Sequence, residues 1–288
     1  MTEPRSHFYD SQRLKLHYVE WGTPGGRPLI LLHGGRDHAR SWDWVAQALG
    51  EGYHIVAPEL RGHGDSDWAI GSSYPMADSI YDLRRLFAHL GWKSAPIVAH
   101  SLGGVITMHF TGAFPELVER LVVIEGWRFS TRSDFLGKGP AVEARIRKWT
   151  EKIDTISARQ ARRYPTLDVA VARMQEANPR LTHEKAEHLT VHGIKENSDG
   201  TYSWKYDNHI RTIAPYRFDA TETERLWSLI ACPTLLISGS EGIAAGTDDV
   251  LKSVPRAKSV TLDGAGHWPH HDQLDAFVSL VREFLDER

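Results

Sequence analysis

A serine hydroxyl can attack an acyl group if a histidine takes its proton, a carboxylate orients that histidine, and backbone donors hold the oxyanion that forms. The stretch APIVAHSLGGVITMHF, Ala95 to Phe110, supplies the serine, Ser101. Pro96, Ile97, Val98 and Ala99 form the apolar run of a short strand, and Val105, Ile106, Met108, His109 and Phe110 continue as a packed helix. Ser101 falls on the turn between them. Ala99, Gly103 and Gly104 flank it, so little side-chain bulk separates strand from helix. The pattern is G-x-S-x-G with Ala99 in the first glycine position. A helix beginning here favours negative charge beside the hydroxyl. Taken alone, the stretch also fits a glycine-softened loop ahead of a helix.

The base must come from among 16 histidines, most of which are structural or on the surface. His267 stands apart because it lies in the glycine-rich loop GAGHW, directly after the strand-like SVTLD, where an imidazole can reach across a sheet edge. It also follows Ser101 in the chain. For the oxyanion, Leu102 brings its backbone N–H with the turn, and the loop His33-Gly34-Gly35-Arg36 brings a second, for which Gly35 is the choice. A tight turn needing positive φ would use the same glycines, and the two roles are compatible. His270 and His271 invite a metal reading, but Pro269 interrupts and no H-E-x-x-H pattern accompanies them, so no metal and no cofactor is expected. In Arg61-Gly62-His63-Gly64-Asp65-Ser66 the arginine and histidine are read as braces for neighbouring loops.

These groups need a scaffold that brings strand ends together. Apolar runs at 28–32, 54–60, 121–124, 233–238 and 259–262 read as further strands, with Arg13 to Glu20 an edge strand preceded by a turn at Tyr9-Asp10-Ser11. Helical periodicity appears over 41–49, 76–90 and 274–285. Strand and helix alternate as in a parallel sheet covered on both faces. From 127 to 229 the chain turns rich in Arg, Lys, Glu and Ala, with helical stretches near 141–153, 167–177 and 183–190, a short extended piece at Tyr202-Ser203-Trp204, and no sheet strand. The expected architecture is a core over 1–126 and 230–288 interrupted by a helical cap over 127–229.

The motifs H-G-G, R-G-H-G-D-S, A-H-S-L-G-G and G-A-G-H-W, in that order, resemble the α/β-hydrolase superfamily over nearly the whole chain outside the cap. The resemblance implies an α/β class, a mostly parallel, doubly wound sheet of about eight strands with an inserted cap, and a Ser-acid-His triad. Many members place the acid after the strand that matches PTLLIS, in a run like G-x-x-D, but here that run is Gly239-Ser240-Glu241-Gly242. Glu241, Asp248, Asp249 and Glu125 all stay open as the acid, and Glu125 is preferred. It ends the strand LVVIEGW, where a buried carboxylate is costly unless paired. This placement looks like the branch containing haloalkane dehalogenases and coelenterazine luciferases, several of which use a Glu after that earlier strand. Dehalogenases place Asp at the elbow, Asn after His-Gly and Trp after the nucleophile, where this chain has Ser101, Gly35 and Leu102, so dehalogenation is not expected. Across its full length the chain looks most like bacterial relatives of the serine hydrolase-like proteins.

The expected substrate is a small ester with an apolar acyl or aromatic part under a ceiling of Trp127, Phe129 and Phe135, residues that could equally be cap core. A C–C bond or thioester hydrolase with the same triad and a non-catalytic binding homologue are the alternatives. A formal charge of -3 from 34 basic and 37 acidic residues gives no pull toward nucleic acid or anionic membrane. The N-terminal stretch lacks a basic start and apolar run, no segment approaches eighteen apolar residues, and Cys232 is the only cysteine, so the expectation is a cytoplasmic protein without disulfides.

Overall fold

The apolar runs become neighbours in one sheet. In this computed structural model, which describes residues 3–50, 52–127, 141–243 and 247–287, the strands are β1 (Arg5–Ser11), β2 (Leu14–Gly22), β3 (Arg27–Leu32), β4 (Tyr53–Pro58), β5 (Ala95–His100), β6 (Val118–Ile124), β7 (Ile194–Glu196), β8 (Tyr202–Trp204), β9 (Thr234–Gly239) and β10 (Ala257–Leu262). Eight of them form the order β1-β2-β4-β3-β5-β6-β9-β10. The β1/β2 and β2/β4 pairs are antiparallel, and every later pair is parallel.

Alternate residues of the central strands feed two separate cores, which is why these strands read as unbroken apolar runs. Ile30, Leu32, Ile97, Ala99, Leu121 and Val123 face one layer, with the helices α2 (Met76–Leu90) and α3 (Leu102–Ala113). Leu29, Leu31, Val98, Val122 and Ile124 face the other, with α1 (Asp43–Leu49) and the final helix Leu274–Asp286. The expected doubly wound sheet of about eight strands is therefore present.

Two local expectations need correction. The first turn lies at Gln12-Arg13, both at positive φ (46° and 69°), so Tyr9-Asp10-Ser11 is strand, and β2 is an inner strand with β1 outside it. Between β6 and β9 the described chain is mainly helical, but Tyr202–Trp204 finds an antiparallel partner in Ile194–Glu196. No described helix is long and apolar enough to cross a membrane.

In the R-G-H-G-D-S turn Arg61 is a brace, as read, whereas His63, among the described residues, hydrogen-bonds only back into the turn, to the Arg61 carbonyl at 3.1 Å. Arg61, 3% exposed, bonds both oxygens of Asp82 at 2.7 Å and Asp78 Oδ2 at 2.8 Å. Glu59, just before it, accepts from the Ala39 N–H at 3.1 Å and bonds His17 Nδ1 at 2.9 Å. A Cβ at Gly64 would lie 2.0 Å from the Glu59 carboxylate, so this glycine makes the room.

These buried groups set the acid stability. Burial alone would raise the Glu59 carboxyl, but His17, followed by His38 and His33, holds it down at about 2. Burial is also the leading cause that pushes His33 and His271 down to about 3 and His63 to about 4. The unfolded chain binds protons near the ordinary histidine value of 6.5 that the folded chain refuses. Stability from the histidines is thus complete above about 6.5 and falls as pH drops toward about 3, with Glu59 adding a loss below about 4.5. We expect the Tm to be several degrees lower at pH 5 than at pH 7.5 by calorimetry. An equal or higher Tm at pH 5 contradicts this accounting.

Candidate active site

Ser101 sits between β5 and α3 at φ 50°, ψ −116°, a conformation costing on the order of 1–3 kcal/mol that the surroundings must impose. They do so on three sides. The Ser101 N–H donates to Ile124 O at 2.8 Å, tying the turn to β6. Cβ atoms at Gly103 and Gly104 would lie 2.5 Å from His33 O and 2.7 Å from Val123, and one at Gly126 would lie 2.5 Å from Ser101 O. Ala99, in the first glycine position, is fully buried within the α2/α3 layer, so a methyl group fits there.

His267 reaches this serine from the loop after β10, with Nε2 3.1 Å from Ser101 Oγ. Its Nδ1 lies 3.4 Å from Glu125 Oε2, at the long end of the hydrogen-bond range. The loop is held at several points. Gly266 N–H donates to Asp272 Oδ2 at 2.7 Å, and His100 Nε2, beside Ser101, bonds the His267 carbonyl at 2.8 Å. A carbonyl only accepts, so His100 Nε2 carries the proton, and burial holds that ring far below the ordinary histidine value, neutral.

Glu125 follows β6 at φ 49°, with its side chain fully buried. Its carboxylate accepts from the Gly239 N–H at 2.9 Å and the Ile243 N–H at 2.7 Å, two charge-assisted bonds that fix the oxygen facing His267. A Cβ at Gly242 would lie 2.1 Å from Glu125 Oε1. The residue that departs from the G-x-x-D pattern is therefore the one that vacates space for the Glu125 carboxylate. The other candidates lie at the surface. Glu241, with its side chain 61% exposed, pairs with Arg180; Asp248 is exposed, and Asp249 lies 3.8 Å from Lys252.

The oxyanion candidates come together. A Cβ at Gly35 would be 3.6 Å from Leu102 Cδ2, and Gly35 is exposed toward solvent. Leu102 is the first residue of α3, where backbone N–H groups have no partner within the helix. His33 braces this loop. Leu60 N–H donates to its Nε2 at 3.0 Å, so its Nδ1 bears the proton and donates to Gly34 O at 2.7 Å.

Trp127 is 2% exposed and belongs to the core cluster on the α2/α3 side of the sheet, so it contributes core rather than an open ceiling. Phe129 and Phe135 lie outside the described residues. A small cleft with about 20 Å³ of internal space lies beside the Gly35 loop and Trp268, lined by Arg36, His38, Met174, Leu189, Trp204 and Trp268 among others. Sequence reasoning passed over His100, Asp272 and the amide of Ile243. Only His100 carried a signal, its place beside Ser101. His270 and His271 are fully buried among Trp42, Trp44 and His100, and no ring nitrogen of either has a hydrogen-bond partner among the described residues.

The comparisons agree with this architecture. A family model described as alpha/beta hydrolase family matches residues 29–280. A Danio rerio protein named Serine hydrolase-like protein is 24% identical over 277 residues, covering 92% of this chain and 83% of its own. Esterase Rv0045c of Mycobacterium tuberculosis is 26% identical over 274 residues, covering 94% of this chain and 86% of its own. The crystal structure of the hypothetical protein PA1622 from Pseudomonas aeruginosa PAO1 superposes with a TM-score of 0.86 at 25% identity, covering 98% of this chain and 99% of that one.

Proposed function

The chain belongs to the alpha/beta hydrolase family, and from that premise we propose that it is a serine hydrolase of carboxylic esters working through an acyl-enzyme. The observation that carries this reading is the contact chain from Ser101 Oγ to His267 Nε2 at 3.1 Å and from His267 Nδ1 to Glu125 at 3.4 Å. Ser101 Oγ attacks the ester carbonyl as His267 Nε2 takes its proton, and Glu125 stabilises the imidazolium. The N–H groups of Leu102 and Gly35 receive the oxyanion. His267 then returns the proton to the departing alcohol, leaving Ser101 acylated. Water repeats the attack with the same base, releasing the acid and restoring the serine. The apolar walls Met174, Leu189, Trp204 and Trp268 favour an apolar acyl or aromatic part of modest size.

A fluorophosphonate probe tests the reading, since phosphorus captures only an activated serine. We expect stoichiometric labelling of the folded protein, located on Ser101 by peptide mass spectrometry. Folded protein that stays unlabelled would instead favour a binding homologue without catalysis.

A further inference from the structure

We propose that Arg36 recognises a carboxylate on the substrate, so that the preferred esters are anionic; this rests on the ester-hydrolase reading above. Arg36 directly follows Gly35 and holds φ 65°, a conformation that bulky side chains adopt only when their surroundings enforce it. It lines the cleft together with Trp268, the residue directly after His267, so the cleft adjoins both the oxyanion loop and the base. Other cations nearby have partners: Arg40 pairs with Asp43, Lys205 with Asp65 and Arg180 with Glu241, and Lys185 donates to the His271 carbonyl. The Arg36 guanidinium has no hydrogen bond or ion pair among the described residues.

The acid in the cleft lining does not answer it. Asp37 Oδ1 accepts the His38 N–H at 2.9 Å and its Oδ2 accepts the Ser41 hydroxyl at 3.0 Å, so both oxygens are committed within their own loop. Met174, Leu189, Trp204 and Trp268 give the lining its apolar part, beside His38 and Tyr206. An exposed, unpaired arginine beside the oxyanion loop and these apolar side chains matches a ligand with an apolar body and one carboxylate, which a guanidinium binds through two parallel N–H donors. The carboxylate can belong to the acyl chain or to the alcohol, and separate substrate pairs distinguish the two.

The experiment compares kcat/KM within matched pairs: mono-para-nitrophenyl adipate against para-nitrophenyl hexanoate, and para-(carboxymethyl)phenyl hexanoate against para-ethylphenyl hexanoate. In at least one pair the carboxylate ester should lead by about tenfold or more, the scale of one charge-assisted contact. That ratio should collapse toward unity in Arg36→Met, survive in part in Arg36→Lys, and shrink as salt rises to about 0.5 M. A preference for the neutral ester in both pairs, or a ratio untouched by Arg36→Met in a variant that melts like the parent, overturns the proposal. So does labelling of Ser101 by fluorophosphonate without turnover of either carboxylate ester. If Ser101 resists the probe and none of the esters is turned over, the ester-hydrolase reading itself fails, and the role of Arg36 with it.

Discussion

Ser101→Ala is expected to lower kcat on an activated ester by about five to six orders of magnitude, as removal of the nucleophile does in serine enzymes with a comparable relay. Among the described residues the hydroxyl hydrogen-bonds only His267, so its loss removes chemistry without removing packing. The strained turn is enforced by the Ser101 N–H bond to Ile124 and the small residues around it, and alanine leaves all of these in place. The melting temperature should therefore stay within about two degrees of the parent, as for changes that touch no core contact. A residual rate above the uncatalysed one would come from the oxyanion donors and substrate positioning. Turnover within about tenfold of the parent would mean that another group attacks the ester.

Glu125→Gln should produce the second-largest loss, about four orders of magnitude in kcat, because an amide neither fixes the histidine tautomer nor stabilises the imidazolium. Here the change also has a structural cost. Both carboxylate oxygens accept backbone N–H groups, from Gly239 and Ile243, whereas glutamine has one acceptor oxygen and an NH2 that must face one of those donors. Leaving a buried donor unsatisfied costs about 1–3 kcal/mol, so the Tm should fall by several degrees. Assays at a temperature where both proteins are folded separate the two effects. Near-parental kcat in folded Glu125→Gln would move the acid elsewhere, and Glu241→Gln and Asp248→Asn would be next to assay.

How much of this was legible in the sequence varied by element. The β5 to α3 turn could be read because an apolar run, a serine and close-packed glycines each leave a mark in residue type. The acid could not be decided that way, since Glu125 and Glu241 carry the same carboxylate after two neighbouring strands. What separates them is volume: the space at Gly242 that Glu125 fills, which appears only when the ends of β6 and β9 are brought side by side. The first hairpin misled for a different reason. Asp10 and Ser11 are common turn residues, whereas Gln12 and Arg13 rarely adopt the positive φ that their tight turn demands. Trp127 shows a limit of composition, because an aromatic side chain after a strand looks alike whether it faces a cleft or fills the core.

The two amides that hold Glu125 have a consequence for how the chain can change over generations. The end of β9 and the segment after it contribute main-chain N–H groups at Gly239 and Ile243, and at Gly242 the absence of a side chain. Any residue except proline supplies an N–H, so Ile243 is free to drift in side chain and Glu241 is held only by its surface pair with Arg180. Gly242 and Glu125 are bound as a couple: a larger residue at the first evicts the carboxylate of the second. A lineage moving the acid between these strands must alter both positions together, because either change alone yields a chain with two acids in one space or none.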